Sequence, residues 1–173
     1  MHFKIGGPFE ISLDDNCCIP DSLSEFWKRV DRRYDGLSQA KGCYVFAVKT
    51  SGRGGYYPWY VGKTNNQTFY NECFKPHQRV HYGKALNQYD KARAFLYLIP
   101  QMTKTGYFSK ASSGQAIDFV ETYLIGLGLR ANRQLRNKKD TKLYREVILP
   151  GFLNSGRGKH GLAANELKKT FYL

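Results

Sequence analysis

Two tyrosines, a lysine and a carboxylate are the residues of this sequence best suited to chemistry on a charged substrate. Tyr44 lies in an apolar stretch of β-branched and aromatic residues, and Tyr60 lies in a second one that ends at Gly62 and Lys63. Glu121 comes much later, within a helical pattern of apolar residues. Hydrolysis of a phosphodiester needs an activated water, positive charge at the phosphate oxygens and a proton donor, and a carboxylate can hold a divalent cation. Together these groups suit the hydrolysis of a phosphodiester.

The same residue types indicate which metal ion would take part. A single carboxylate such as Glu121 can hold one divalent cation whose other ligands are water and phosphate oxygens, an arrangement that Mg²⁺ favours. The four cysteines lack the C-x-x-C spacing of a zinc site, namely Cys17, Cys18, Cys43 and Cys73. The expected cofactor is therefore Mg²⁺ or Mn²⁺, with Glu121 as the metal ligand.

The chain is strongly basic, with 27 lysines and arginines against 14 acidic residues and a formal net charge of +13. This balance favours a polyanionic partner, nucleic acid first and an anionic membrane second. Six basic residues follow the helix that carries Glu121 and are the candidates for phosphate contacts, Arg130, Arg133, Arg136, Lys138, Lys139 and Lys142. Their clustering argues against the alternative of a basic protein that has no nucleic-acid partner.

Length and composition predict one globular domain, residues 1–173. The sequence is 42% hydrophobic and 15% aromatic, which is too apolar for a disordered chain. No apolar run reaches the roughly 20 residues that span a bilayer, and the amino terminus has no apolar signal-peptide core. These features predict a cytoplasmic protein with reduced thiols and no membrane association.

The elements that must position these residues follow from the hydrophobic pattern. Strands are predicted over residues 42–50, 56–63 and 93–102, and helices over 24–34, from 76 onward, over 115–129 with Ser113 as the cap, and over 162–172. Residues 2–13 alternate weakly, which suits an edge strand or a hairpin. The predicted fold class is α+β, a small three-stranded antiparallel sheet flanked by helices.

The order of these motifs resembles the GIY-YIG nuclease family. Gly42-Cys43-Tyr44 stands in the place of the first motif and Tyr60-Val61-Gly62 in the place of the second, with cysteine and valine where isoleucine is usual. The resemblance covers residues 42–137, which would form a catalytic core between an amino-terminal part, 1–41, and a carboxy-terminal part, 138–173. The exchanged isoleucines alter packing rather than chemistry.

The resemblance implies a role for each matched residue. One of the two motif tyrosines, Tyr44 or Tyr60, would help to activate water, and Lys63 matches a lysine that is common after the second motif. Glu121 would bind the metal ion, and Asn132 would organise the site. The implied fold is a sheet that carries the two tyrosines side by side.

The helix after the second strand departs from the family pattern. Many members place a phosphate-binding arginine there, with a histidine or tyrosine four residues later. Arg79 is the arginine of this segment, but Gly83 stands at that later position. At the same spacing, His77 pairs with His81 and Gln78 with a tyrosine. The resemblance makes Arg79, His77 and His81 candidate catalytic residues, and activity would be reduced or lost if Gln78 held the arginine's place.

Each candidate also has a purely structural interpretation. Tyr44 and Tyr60 suit cross-strand packing within a sheet, and Glu121 suits the solvated edge of an amphipathic helix. The two histidines could form an i, i+4 metal pair, which the surrounding cations disfavour. Asn132 could simply end a helix.

Taken together, the sequence predicts a metal-dependent endonuclease that hydrolyses phosphodiester bonds in DNA, as restriction or defence nucleases do. RNA is a weaker alternative as the substrate. A different alternative is a catalytically weak or inactive nucleic-acid-binding module that keeps the same fold. Both a monomer and a homodimer are compatible with the sequence.

Overall fold

The structure is a computed structural model that describes residues 1–14, 17–20, 22–50, 55–89, 91–109, 114–138, 141–149 and 161–170. It consists of two compact units, Met1–Arg136 and Asn137–Leu173. The first unit contains the two tyrosine motifs and Glu121. The assignment of the whole chain to one domain stays a prediction.

The first unit is built on an antiparallel sheet. The strands of the described chain are β1 (His2–Phe3), β2 (Gly6–Ile11), β3 (Leu13–Asp14), β4 (Cys17–Pro20), β5 (Gly42–Thr50), β6 (Tyr56–Thr64) and β7 (Ala92–Met102). Strand β5 pairs with both β6 and β7, while β1 and β2 pair with the other side of β7. Strands β3 and β4 form a separate two-stranded sheet. The α+β class with an antiparallel sheet is thus confirmed.

The sheet is larger than the three strands predicted from the sequence. Those three strands, β5, β6 and β7, are present with bounds that differ by at most one residue. The additional strands come from the weakly alternating amino-terminal residues. Because β7 is long and mostly buried, its second side carries backbone groups that need partners, and β1 and β2 supply them.

Strand β6 lies at the edge of the sheet and contains a bulge. Phe46 pairs with Tyr60, but the next residue, Ala47, pairs with Pro58, so Trp59 is the extra residue of β6. Proline has no backbone N–H to contribute to a sheet, which explains its place on an edge strand. The bulge directs Trp59 into the core, where it is fully buried.

Helices of the first unit cover both faces of its sheet. They are α1 (Leu23–Arg33), a 3-10 turn (Leu37–Gln39), α2 (Phe69–Glu72), α3 (Pro76–Leu86) and α4 (Gly114–Ala131), and the second unit has α5 (Lys142–Glu146) and α6 (Leu162–Thr170). The predicted helices at 24–34, 76 onward, 115–129 and 162–172 correspond to α1, α3, α4 and α6. Helix α2 lies in a stretch for which no helix was predicted, and Ser113 lies outside the described residues.

The two faces of the sheet have different cores. Tyr44, Phe46 and Val48 point to one face and pack with side chains from α1, α2 and α3. Cys43 points to the other face, where it packs with Ile117 of α4. Strand residues alternate between faces, so the two motif strands present their tyrosines to one helical layer and Lys63 to the other.

The second unit holds α5 and α6. Lys142 forms an i, i+4 ion pair with Glu146 at 4.0 Å in α5, and Lys169 pairs with Glu166 at 2.7 Å in α6.

No helix in the described part of the chain is both long and apolar enough to cross a membrane.

Candidate active site

The two motif tyrosines lie beside one another on neighbouring strands. The ring centroids of Tyr44 and Tyr60 are 6.2 Å apart with an angle of 41° between the ring planes. Tyr44 pairs with Gly62 across the hairpin, and its ring covers that glycine. A Cβ atom at residue 62 would lie 2.3 Å from Cζ of Tyr44, so any larger residue would displace the ring. The second motif therefore needs glycine because the first motif has tyrosine.

Gly42 of the first motif is also fixed by a close contact. A Cβ atom there would lie 2.1 Å from the carbonyl oxygen of Ile99 on β7. The Gly42 N–H donates to Oγ1 of Thr64 at 2.9 Å, which ties the start of β5 to the end of β6. The absence of a side chain thus lets the β7 backbone lie against Gly42 and the Tyr44 ring lie against Gly62.

Helix α3 covers the tyrosine pair with one face. His81 stacks on Tyr60 with centroids 4.9 Å apart and ring planes 13° apart, and Tyr82 stacks on Phe46 at 4.0 Å. Gln78, only 3% exposed, lies on the same buried face one turn earlier. The residue that faces the tyrosines at this turn is therefore glutamine.

Burial controls the acidity of both tyrosines. Burial raises the pKa of Tyr44 well above its ordinary value, and its hydroxyl has no hydrogen-bond partner among the described residues. Burial also raises the pKa of Tyr60; the Gln78 side chain opposes this effect, and the charges of Glu121 and Glu72 add to it. Both tyrosines are neutral phenols near neutral pH.

Lys63 connects β6 to α4 through two carboxylates. Its Nζ lies 2.7 Å from Oδ1 of Asp118 and 2.8 Å from Oε2 of Glu121. Burial alone would lower the pKa of Lys63, but hydrogen bonds and charge from these carboxylates outweigh it and raise the pKa above the usual lysine value. Asp118 is 53% exposed, whereas Glu121 is only 17% exposed, so Glu121 is the more enclosed carboxylate.

Glu121 and the tyrosine pair lie on opposite faces of the same edge strand, β6. Glu121 and Lys63 lie on the α4 side of β6, and the two tyrosine rings lie on the α3 side. The Glu121 charge nevertheless raises the pKa of Tyr60, so the two groups are electrostatically coupled. Because β6 is an edge strand, a phosphate beside it could contact groups from both sides.

A divalent cation at Glu121 would find few protein ligands. The described residues contain no group of three or more histidine, cysteine, aspartate or glutamate side chains that could hold a metal ion. Glu121 offers one carboxylate, and one of its oxygens is in contact with Lys63. A carboxylate oxygen is a hard donor of the kind that Mg²⁺ and Mn²⁺ take, and binding of either ion at Glu121 stays a prediction.

Asn132 holds the end of α4 against β6. Its side-chain N–H donates to the Pro58 carbonyl at 2.9 Å, and its side-chain oxygen accepts from the Gln134 N–H at 2.9 Å. The backbone N–H of Arg136 donates to the Trp59 carbonyl at 2.8 Å. These contacts fix how far along β6 the helix that carries Glu121 lies, and the role of Asn132 in organising the site stays a prediction.

Among the other candidates on α3, Arg79 and His77 contact residues other than the two motif tyrosines. Nε of Arg79 donates to the Phe74 carbonyl at 2.5 Å, a contact within the α2–α3 region. Nε2 of His77 lies 2.9 Å from Nε2 of Gln78, and most of the His77 side chain is exposed. Of the histidine pair, only His81 stacks on Tyr60.

Sequence analysis did not select two carboxylates that belong to this neighbourhood. Asp118 shares Lys63 with Glu121, and its position three residues earlier on the same helix was a usable signal. Glu72 contacts Lys75 at 2.6 Å and Gln78 at 3.4 Å, and its charge raises the pKa of both motif tyrosines. Its polar surroundings in the sequence gave no such signal.

The predicted phosphate-binding residues fall in both compact units. Arg130, Arg133 and Arg136 belong to the first, where Arg130 and Arg133 are exposed and Arg136 is partly buried. Lys138 and Lys142 belong to the second and are exposed, and Lys139 lies outside the described residues. Contacts of these residues with nucleic acid remain a prediction.

A scan against protein-family models found no match to this chain, and neither did searches of curated proteins and of solved structures.

Proposed function

We propose that this protein is a metal-dependent endonuclease of the GIY-YIG type that cleaves DNA. The observation that carries the proposal is the close tyrosine pair on one face of the edge strand β6 together with the Lys63–Glu121 ion pair on its other face. The net charge of +13 supports a nucleic-acid substrate, with the basic residues after α4 as the backbone contacts. A restriction or defence role and a cytoplasmic location are part of the same proposal.

In this mechanism Tyr60 orients the attacking water. Its raised pKa keeps the hydroxyl protonated near neutral pH, so it acts through hydrogen bonding and not as a tyrosinate base. His81 and Gln78 hold the ring and the hydroxyl in place from α3. Tyr44 is enclosed by the core, and its ring supports that of Tyr60.

On the other side of β6, negative charge on the phosphate oxygens would be neutralised by Lys63 and by the cation held by Glu121. Glu121 would hold Mg²⁺ or Mn²⁺, which when bound supplies positive charge to the non-bridging oxygens. Lys63 remains an ammonium ion because its pKa is raised, and it can turn from Glu121 toward a phosphate oxygen. Asp118 keeps Lys63 close to the site during that exchange.

The first prediction tests Glu121 in a nicking assay. Supercoiled plasmid is incubated with the protein in Mg²⁺, in Mn²⁺ and in EDTA, and nicked and linear products are measured. We expect cleavage with either cation, none in EDTA, and none with Glu121→Gln, which removes the carboxylate at nearly constant volume. Glu25→Gln is the matched control, since Glu25 forms an exposed ion pair with Lys28 on α1. Full turnover by Glu121→Gln would refute the assignment.

A second candidate function is a nucleic-acid-binding module without strong catalytic activity. Two observations favour it: Gln78 rather than an arginine faces Tyr60, and Arg79 donates its Nε proton to the Phe74 carbonyl. Binding of a catalytically inert, fluorescently labelled DNA duplex in EDTA distinguishes the two. Tight binding by the wild-type protein together with no nicking in either cation would favour the binding module.

A further inference from the structure

A cleft of about 480 Å³ lies between α1, the 3-10 turn that follows it, and α2. Its size falls within the roughly 300–1,000 Å³ typical of small-molecule sites. It is separate from the tyrosine pair and from Glu121, none of which lines it. Helix α2 connects the two places, because Tyr70 lines the cleft and Glu72, two residues later, contacts Gln78 beside Tyr60.

One wall of the cleft is aromatic and well supported. Tyr70 is 48% exposed, and its ring centroid lies 5.7 Å from that of Trp27. Trp27 is buried and held in edge-to-face contact with Phe26 at 5.1 Å and Phe74 at 5.9 Å. Tyr70 therefore presents an accessible ring on a rigid base, as required of a platform for a flat ligand.

The rest of the lining offers hydrogen-bond donors, acceptors and both signs of charge. Asp31 is committed to structure, because it accepts from the Ser38 N–H at 2.8 Å and from the Ser38 hydroxyl at 2.7 Å. Arg32 and Lys28 bring positive charge, Lys28 while paired with Glu25 at 2.7 Å, and Asp35 and Gln39 bring acceptors beyond the end of α1. A matching ligand has an aromatic face, an edge with exocyclic donors, and an anionic group.

We propose that this cleft binds one unpaired nucleotide, either free or extruded from a strand. The base would stack on Tyr70, its hydrogen-bonding edge would meet Asp35 and Gln39, and its phosphate would meet Lys28 and Arg32. Carboxylates accept from exocyclic amines of bases, and aromatic side chains stack on unpaired bases. This binding function is additional to cleavage and does not depend on it.

The test uses calorimetry in EDTA with the four deoxynucleoside 5′-monophosphates and with deoxyribose 5-phosphate, which lacks a base. We expect at least one nucleotide to bind and the sugar phosphate not to bind. Tyr70→Ala should weaken nucleotide binding by about tenfold or more, and Tyr70→Phe should keep it. Tyr107→Ala, at an exposed tyrosine that does not line the cleft, is the matched control.

A second measurement distinguishes a free nucleotide from one within a strand. Single-stranded DNA with one 2-aminopurine is titrated with the wild-type protein and with Tyr70→Ala. A fluorescence change that Tyr70→Ala abolishes assigns the cleft to a nucleotide in a strand, whereas binding of monophosphates alone assigns it to free nucleotides. Equal affinity for the sugar phosphate, no binding by either probe, or an unchanged Tyr70→Ala variant would overturn the proposal.

Discussion

The two motif tyrosines differ in exposure, and this difference sets what each hydroxyl can do. Tyr44 is fully buried and its hydroxyl has no hydrogen-bond partner among the described residues, whereas Tyr60 lies at the sheet edge, with His81 stacked on its ring and the charge of Glu121 raising its pKa. We predict that Tyr60→Phe lowers cleavage by about 10² or more while changing the free energy of unfolding by less than about 1 kcal/mol. Plasmid nicking and urea denaturation measure the two quantities.

Tyr44→Phe is the comparison for this prediction. Removal of this buried hydroxyl, which has no hydrogen-bond partner among the described residues, should leave the protein equally stable or slightly more stable, with cleavage retained. The ring that supports Tyr60 is preserved in this variant. If Tyr44→Phe is inactive while Tyr60→Phe is fully active, the roles of the two tyrosines are reversed.

Gly62 provides a prediction about stability at a single residue. Gly62→Ala places a Cβ atom 2.3 Å from Cζ and 2.4 Å from the hydroxyl oxygen of Tyr44, so the ring must move. We expect a loss of about 2–3 kcal/mol in the free energy of unfolding, as for overpacking in a core. Gly55→Ala should be nearly neutral because, apart from its chain neighbours, no described residue has an atom within 4 Å of a Cβ there.

The source of that loss can be isolated with a double-mutant cycle. In a Tyr44→Leu background the shorter side chain leaves room near residue 62, so Gly62→Ala should cost less there than in the wild-type protein. Equal costs in both backgrounds would show that the ring of Tyr44 does not restrict residue 62.

At the scale of residues, the sequence was sufficient to select the candidate site residues but not to predict which side chains contact them in space. The order of Tyr44, Tyr60 and Glu121 was sufficient to select them, because each lies within a strong apolar pattern. The register of α3 was not accessible in the same way: Pro76 marks where the helix begins, but only packing decides that Gln78 rather than Arg79 faces the sheet. Contacts between distant segments, such as that of Lys63 with Asp118, have no local signature.

At the scale of elements, the connection between α4 and β6 determines where Glu121 lies. We predict that Asn132→Ala lowers the free energy of unfolding by about 1–2 kcal/mol, because it removes the hydrogen bonds to the Pro58 carbonyl and from the Gln134 N–H. Cleavage should fall as well, since the helix loses its anchor beside the site. Urea denaturation and the nicking assay are the measurements.

Two variants sharpen this test. Asn132→Asp keeps the acceptor for Gln134 but replaces the donor to Pro58 by a carboxylate oxygen that repels the carbonyl, so it should destabilise at least as much as Asn132→Ala if the contact with β6 matters. Asn87→Ala, at an exposed residue that ends α3, should change stability by no more than about 0.5 kcal/mol. If Asn132→Ala is as stable as the wild-type protein, Asn132 does not anchor the end of α4 to β6.

The sequence predicted most helices and strands, but it did not predict every pairing between the strands. The three strongly apolar strands and the amphipathic helix α1 followed from periodicity, because burial of one face or both dictates such patterns. The pairing of residues 2–11 with β7 depended on a second strand edge that no local pattern reveals. Helix α2 was missed because four residues carry too little periodicity.

At the scale of the whole molecule, buried groups that bind protons link stability to alkaline pH. Burial raises the pKa of the Cys43 thiol to about 12, with the charge of Glu121 adding to the effect, and burial raises the pKa of the Cys73 thiol as well. Burial likewise raises the pKa of Tyr44 and Tyr82 well above the ordinary phenol value. In the unfolded chain, thiols and phenols ionise near their ordinary values, about 8.5 and 10.

The direction of the pH effect follows from this comparison. Above these ordinary values the folded state holds more protons than the unfolded state, so the free energy of unfolding falls as pH rises. The stabilisation is complete below about pH 8 and should decline from about pH 9 upward, with each group adding a slope of up to about 1.4 kcal/mol per pH unit. Urea denaturation from pH 7 to 11 at constant ionic strength measures the decline, and Cys73→Ala should make it shallower because one titrating group is lost. A constant free energy of unfolding up to pH 11 would mean that these thiols and phenols ionise as readily in the folded protein as in the unfolded chain.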